Sequence, residues 1–169
     1  MTADVAELDA LSPDAFMAAA APWFEGAPRF LARLVAARPF GDAPTLFARA
    51  ADIAATMPAD EQLELIDAHP RLGAAPSTVS AESFREQGYQ RETSDAIADL
   101  ERLNAVYEAQ FGFRFCVFVD GRPQAALVPV LETALRADRD AEVRRALGDV
   151  VAIARDRFRR RAGPAGVPW

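Results

Sequence analysis

Apolar residues recur every three or four positions along most of this chain, which is the spacing of one face of an α-helix. In the segment APRFLARLVAARP, Phe30, Leu31 and Leu34 form one such stripe, and a proline ends the segment. Seven or eight segments of this kind follow one another, separated by short stretches with proline, glycine or capping residues. The pattern predicts an all-α, single-domain helical bundle over residues 1–169, in which 162–169 form a flexible tail.

Capping residues and prolines at the ends of these segments predict where several helices begin and end. Ser12, Asp42 and Ser80 precede helical segments, and their side chains can accept a hydrogen bond from the first turn. In LELIDAHPRLG the helix is expected to end at or before His69, because the residue ahead of a proline avoids helical dihedral angles. This places the only histidine of the chain at a helix end.

One stretch, FRFCVFVDG, departs from the helical period and is rich in aromatic and β-branched residues, which favours an extended backbone. No second stretch of this type offers a partner strand, and an isolated strand is unstable. The stretch is therefore expected to be an extended connector, or a helix that its residue propensities hide.

Charge narrows the classes of function. The formal net charge of −6 argues against a nucleic-acid partner, which would need a basic face. All 19 basic residues are arginine, so chemistry that needs a lysine, such as Schiff-base formation, is excluded. A pocket of arginines can still hold a small anionic substrate. No segment approaches the roughly 20 apolar residues that cross a bilayer, and the first residues lack a basic signal region, so we expect a cytoplasmic protein without a membrane partner.

Metal and cofactor sites are not predicted. His69 and Cys116 are the only histidine and the only cysteine, the acidic residues lack calcium-loop spacing, and nucleotide-binding motifs are absent. The apolar neighbours of Cys116 indicate a buried small side chain rather than a reactive thiol. An enzyme with this sequence would work with its side chains alone.

The segment SFREQ is the second candidate for chemistry. Ser83, Glu86 and Gln87 lie at positions i, i+3 and i+4, and so share one helix face. Together a hydroxyl, a carboxylate and an amide can bind a planar ligand rich in amide groups. From the residues alone, the more common interpretation of this face is a solvated helix surface, and that of His69 is a residue that ends a helix or lies at the surface.

Four segments occur in a fixed order: AHPRLG, SAESFREQ, LNAVYEAQFGFRFCVFVDGR and VVAIARDRF. Together they resemble the OHCU decarboxylase family (2-oxo-4-hydroxy-4-carboxy-5-ureidoimidazoline decarboxylases), over about residues 8–160. The resemblance implies a helical homodimer that needs no cofactor. It also implies removal of CO2 from the ureidoimidazoline in urate degradation, with (S)-allantoin as the product.

The same resemblance assigns roles to individual residues. His69 matches the family's proton donor, and Glu86 matches its catalytic carboxylate. The positions that match substrate contacts are Pro70, Ser83, Gln87, Phe115, Cys116, Val117, Phe118, Val119 and Arg157. Arg155 and Arg159 are alternatives to Arg157 as the anchoring arginine. Arg71 and Asp120 depart from the family pattern.

This assignment leads to a mechanistic hypothesis. A protonated His69, held charged by the neighbouring Glu86, would stabilise the negative charge left by CO2 and then deliver a proton to one face of the ring. Gln87 and Ser83 would contact the ureide edge, and Arg157 an anionic oxygen.

Two other functions remain open on the sequence. The chain could be a helical binding module without catalytic activity, in which His69 only ends a helix. It could also be an enzyme that decarboxylates a related ureido or imidazole acid.

Overall fold

A computed structural model of the protein describes residues 4–73, 80–87 and 94–161. These residues form nine α-helices and one short 3-10 helix, and no strand occurs among them. The α-helices are α1 (Val5–Asp9), α2 (Pro13–Ala20), α3 (Pro28–Ala36), α4 (Ala43–Thr56), α5 (Ala59–Asp67), α6 (Ala81–Gln87), α7 (Ser94–Phe111), α8 (Gln124–Ala134) and α9 (Arg139–Arg161), and the 3-10 helix is Ala21–Trp23. The predicted all-α class is confirmed. No helix in the described ranges is long and apolar enough to span a bilayer.

The helix count exceeds the expected seven or eight because of α1. This helix has five residues, of which Val5 and Leu8 are buried. A single turn is too short to repeat an apolar spacing, so its sequence carries no helical period. The expected flexible tail, 162–169, lies outside the described residues.

The predicted N-caps are present. The Ser12 hydroxyl and the Asp42 carboxylate each accept a hydrogen bond from the backbone N–H three residues later, at 3.3 and 2.8 Å. Ser80 does the same for Ser83, whose backbone nitrogen lies 3.1 Å from the Ser80 hydroxyl oxygen. The last of these bonds fixes the start of α6 and hence the direction in which its side chains leave the backbone.

Helix α9 packs against α4, α5 and the 3-10 helix. Near its end, the Phe158 ring packs edge to face with Trp23 and with Phe47, with ring centres 5.2 and 5.5 Å apart. All three rings are buried in the main core. This packing fixes the turn of α9 that carries Arg157, which is itself buried.

Of the two alternatives expected for the stretch between α7 and α8, the structure has the connector rather than the helix. Residues 114–119 form neither helix nor strand. Two of its carbonyls accept hydrogen bonds from arginine side chains, where a partner strand would otherwise donate. Arg145 donates to the Cys116 oxygen at 2.9 Å, and Arg122 donates to the Phe118 oxygen at 2.7 Å. The Arg145 guanidinium also stacks on the Phe115 ring, 4.9 Å from its centre. These contacts hold one wall of the site in place.

Candidate active site

A cavity of about 330 Å³ lies between the end of α5, helix α6, the connector and the last turns of α9. This volume suits a small organic ligand, since ligand pockets usually measure roughly 300–1,000 Å³. Of the predicted site residues, those that line it are His69, Pro70, Ser83, Glu86, Phe115, Cys116, Val117, Phe118, Val119 and Arg157. The side chain of Gln87 lies outside the described part of the structure. Segments that are distant in the sequence therefore meet at one cavity.

His69 follows α5 and is only 4% exposed. Its Nδ1 lies 3.1 Å from the carbonyl oxygen of Leu65. A carbonyl can only accept, so Nδ1 carries the hydrogen and Nε2 of the neutral ring carries a lone pair. Nε2 is buried and has no hydrogen-bond partner among the described residues. An unpartnered buried acceptor at a cavity wall is suited to receive a proton or a donor group from a ligand.

Burial, and next the positive charge of Arg157, lower the pKa of His69 to about 4; Glu25 and the Leu65 carbonyl act in the opposite direction. We therefore expect His69 to be neutral at pH 7. The expectation that Glu86 holds His69 charged is wrong, because Glu86 is paired with Arg157 and desolvation outweighs the favourable helix end.

Arg157 and Glu86 form a two-bond ion pair. The Arg157 Nε donates to Glu86 Oε1 at 2.8 Å and its Nη2 to Oε2 at 2.9 Å. The two parallel bonds fix the plane of the carboxylate as well as its position. The two side chains are 1% and 11% exposed, so this pair is shielded from water.

The remaining donors of Arg157 also have protein partners. Nη1 binds the Pro22 carbonyl at 2.8 Å, and Nη2 binds Glu25 Oε1 at 2.8 Å and the Ser83 hydroxyl oxygen at 3.1 Å. Burial lowers the pKa of Arg157, but its bonds to Glu86 and Glu25 outweigh this and raise it above its ordinary value. Arg157 thus organises the acidic side of the cavity.

Neither alternative arginine lines this cavity. Arg155 and Arg159 line a separate depression beside Phe47, and the Arg155 guanidinium lies 5.7 Å from the centre of that ring. Of the three candidates, Arg157 alone lines this cavity, and its guanidinium is bonded to protein acceptors, so its role as the substrate's anchor stays a prediction.

The two departures from the family pattern have different outcomes. Arg71 forms two hydrogen bonds with Glu108, at 2.6 and 2.5 Å, and is absent from the cavity lining. Asp120 does line the cavity, in the turn that follows the connector. Of these two residues, Asp120 is therefore the one that a ligand in this cavity could meet.

Several charged residues at the site were not predicted. Glu25 accepts hydrogen bonds from Ser83 and Arg157, and Arg85, Asp156 and Arg160 line the cavity. One signal could have identified Arg160, since it lies three positions after Arg157 on the same helix face. No local pattern marks Glu25, whose partner Arg157 is 132 positions away.

Residues 9–159 match the family described as OHCU decarboxylase. The chain belongs to the OHCU decarboxylase family. Its catalytic candidates and most of its predicted contact positions thus fall within the matched range and line one cavity.

Individual members of the family are moderately similar. The chain is 32% identical over 138 residues to the uric acid degradation bifunctional protein PucL of Bacillus subtilis (strain 168), a match that covers 80% of this chain and 28% of that protein. It is 26% identical over 157 residues to the 2-oxo-4-hydroxy-4-carboxy-5-ureidoimidazoline decarboxylase of Haloferax volcanii, covering 92% and 94% of the two chains. The chain thus spans less than a third of the first relative's length and almost all of the second's.

A solved structure supports the fold. The crystal structure of an OHCU decarboxylase in the presence of (S)-allantoin superposes with a TM-score of 0.68 at 22% identity, over 80% of this chain and 91% of that one. A crystal structure of an (S)-allantoin synthase gives a TM-score of 0.69 at 21% identity, over 95% of this chain and 54% of the other. At this level of identity the likeness concerns the helical fold alone.

Proposed function

We propose that this protein decarboxylates 2-oxo-4-hydroxy-4-carboxy-5-ureidoimidazoline to (S)-allantoin in urate degradation, without a cofactor. The family supports the substrate, since the relative in Haloferax volcanii is named for it. The observation that carries the mechanism is the buried, unpartnered Nε2 of His69 at a cavity that Glu86 also lines.

The substrate's chemistry defines what the site must do. Carbon 4 bears both the hydroxyl and the carboxylate and is tetrahedral, so the ring double bond joins carbon 5 to nitrogen 1. When CO2 leaves, its bonding pair forms a double bond between carbons 4 and 5. The former double-bond pair moves to nitrogen 1, which takes a proton from solvent. An enol results, and moving its hydroxyl proton to carbon 5 gives allantoin.

His69 is suited to move that proton. As a neutral base, its Nε2 takes the proton of the 4-hydroxyl as the carbonyl forms at carbon 4, and then donates it to carbon 5. The transient imidazolium keeps its Nδ1–H bonded to Leu65, so the ring stays oriented. Delivery from a fixed ring to one face of carbon 5 sets the S configuration. In this form His69 remains the proton donor, but from a neutral resting state.

The other walls bind the substrate's polar edges. The Ser83 hydroxyl donates to Glu25 at 2.7 Å and accepts from Arg157 at 3.1 Å, so its second lone pair is the one offered to a ureide N–H. Glu86, fixed by Arg157, likewise accepts from substrate N–H or hydroxyl groups. Arginines bind the connector's carbonyls at Cys116 and Phe118, and the Asp149 carboxylate accepts from the Phe118 backbone N–H. We therefore assign the backbone contacts with substrate oxygens to the neighbouring N–H groups of Val117 and Val119, which line the cavity.

The test uses substrate made in place by urate oxidase and hydroxyisourate hydrolase, with circular dichroism to follow the handedness of the allantoin. Wild-type protein is expected to accelerate formation of the S form. His69→Asn is expected to lose roughly 100- to 10,000-fold in rate, since it removes the proton relay. Asparagine is chosen because its amide N–H can still donate to the Leu65 carbonyl.

Slow racemic allantoin with the wild-type protein would contradict the proposed activity and favour a binding module. A folded His69→Asn protein with wild-type turnover would contradict the role of His69. The homodimer implied by the family is also part of the proposal, and sedimentation velocity tests it through a mass near twice 18.3 kDa.

A further inference from the structure

Glu25 lies at a sharp turn between the 3-10 helix and α3. Its backbone φ is 50°, in the left-handed region that a residue with a long side chain rarely adopts. The carboxylate nevertheless reaches α6 and α9, which are remote in sequence. The turn thus directs one acidic side chain behind the wall of the catalytic cavity.

One oxygen of Glu25 gathers three donors. Oε1 accepts from the hydroxyls of Ser80 and Ser83, at 2.9 and 2.7 Å, and from Arg157 Nη2 at 2.8 Å. Its side chain is only 13% exposed. Ser83 lines the cavity, and the same Arg157 that binds Glu25 also fixes Glu86. Glu25 is therefore connected to both acceptor groups of the proposed site.

We infer that Glu25 is a positioning residue for the decarboxylation: it orients the Ser83 hydroxyl and the Arg157 guanidinium, and through Arg157 it holds Glu86 in place. The inference rests on the proposed function for its catalytic part. Without Glu25, the Ser83 hydroxyl is free to rotate and present its hydrogen to the cavity. Arg157 then loses one of its two carboxylate partners.

The charge of Glu25 also acts on His69. It raises the pKa of the imidazole, against burial and against the charge of Arg157. The proton relay passes through an imidazolium, so a nearby carboxylate lowers the free energy of that intermediate. A purely structural carboxylate elsewhere in the fold would not have this effect.

The experiment compares Glu25→Gln with Glu61→Gln. Glu61 is a matched control, because its side chain is also 13% exposed and is paired with an arginine, Arg33. Partners that orient a functional group are typically worth 10- to 100-fold, so kcat of Glu25→Gln is expected to fall by about that factor. The control should stay within about twofold of wild type.

A second readout needs no substrate. His69 is the only histidine, so its ring gives one set of NMR signals. At pH 4, near its expected midpoint, the wild-type ring should be about half protonated. The ring of Glu25→Gln should be mostly neutral there, and the ring of Glu61→Gln should match wild type. Glu25→Asp keeps the charge but shortens the reach, so kcat should fall while the ring titrates close to wild type.

Wild-type kcat in Glu25→Gln, or an unmoved His69 titration, would overturn the inference. If Glu25→Gln does not fold, wild-type turnover by Glu25→Asp would overturn it as well. Should the wild-type protein fail to accelerate the decarboxylation, the proposed function fails, whereas the NMR comparison still decides whether Glu25 acts on the site.

Discussion

The strongest energetic prediction concerns Arg157→Met. Methionine has a similar length and keeps the apolar contacts, but it removes the buried guanidinium that pairs with both Glu25 and Glu86. Glu86 then keeps only the longer ion pair with Arg160, at 3.7 Å, among the contacts of the described residues. The arginine is 1% exposed, and the two carboxylates are 13% and 11% exposed. Removing one partner of a buried pair usually costs about 3–5 kcal/mol, because the remaining charge stays desolvated. We expect a loss of this size in the free energy of unfolding at pH 7.

The pH dependence of this loss has a definite sign. In wild type, burial raises the pKa of Glu25, but Arg157 and the hydrogen bonds lower it further than burial raises it. Without the charge and the hydrogen bond of Arg157, the effect of burial exceeds the effects that lower the pKa, so the folded-state pKa of Glu25 rises. A carboxyl with a raised folded-state pKa stabilises the fold as pH falls and loses this contribution as pH rises. The gap between variant and wild type should therefore narrow from pH 7 to pH 5.

Urea denaturation at both pH values measures this directly. The triple variant Glu25→Gln, Glu86→Gln, Arg157→Met is the control, since it removes the whole charged set and should recover part of the loss. A loss below about 1 kcal/mol in the free energy of unfolding at pH 7 would refute the reasoning, because solvent-exposed ion pairs contribute no more than this. A gap that does not change with pH would refute the role of the carboxylates.

Two further outcomes follow from the site. The kcat/KM of wild type should be flat from about pH 5 to 8, because the relay needs the neutral His69 ring. Below the His69 pKa of about 4 it should fall about tenfold per pH unit. A midpoint near pH 6.5 in a stopped-flow pH profile would contradict this. Arg71 pairs with Glu108 at a half-exposed position outside the cavity. Arg71→Ala should therefore change the free energy of unfolding by less than about 1 kcal/mol and leave KM within about twofold of wild type. A large rise in KM in a steady-state assay would place Arg71 at the substrate.

The sequence predicts those parts of the site that depend on residues close to one another along the chain. Pro70 fixes the helix exit at His69, and the spacing of Ser83 and Glu86 places both on one face of α6. The β-branched and aromatic residues of the connector marked it as a departure from the helical period, although a hidden helix stayed open on the sequence. The anchoring of the connector was not predictable, because Arg145 meets Cys116 only through the packing of α9 against the connector.

The protonation state of His69 shows the limit of local reasoning. The sequence places the ring at a helix end, where the dipole favours a cation by roughly 0.3–1 kcal/mol. Tertiary packing buries the ring and brings Arg157 towards it, and these two effects are larger. Glu25 was missed for the same reason: its role depends on partners 55 to 132 positions away. No spacing in the sequence carries that information.

The central claim is that His69 rests neutral, with its hydrogen on Nδ1 and a lone pair on Nε2. Nitrogen NMR of protein labelled with 15N-histidine tests this at pH 7, and the single histidine removes any need for assignment. We expect the neutral Nδ1–H tautomer, with an unprotonated Nε2. Two protonated ring nitrogens at pH 7, or a hydrogen on Nε2 alone, would contradict it.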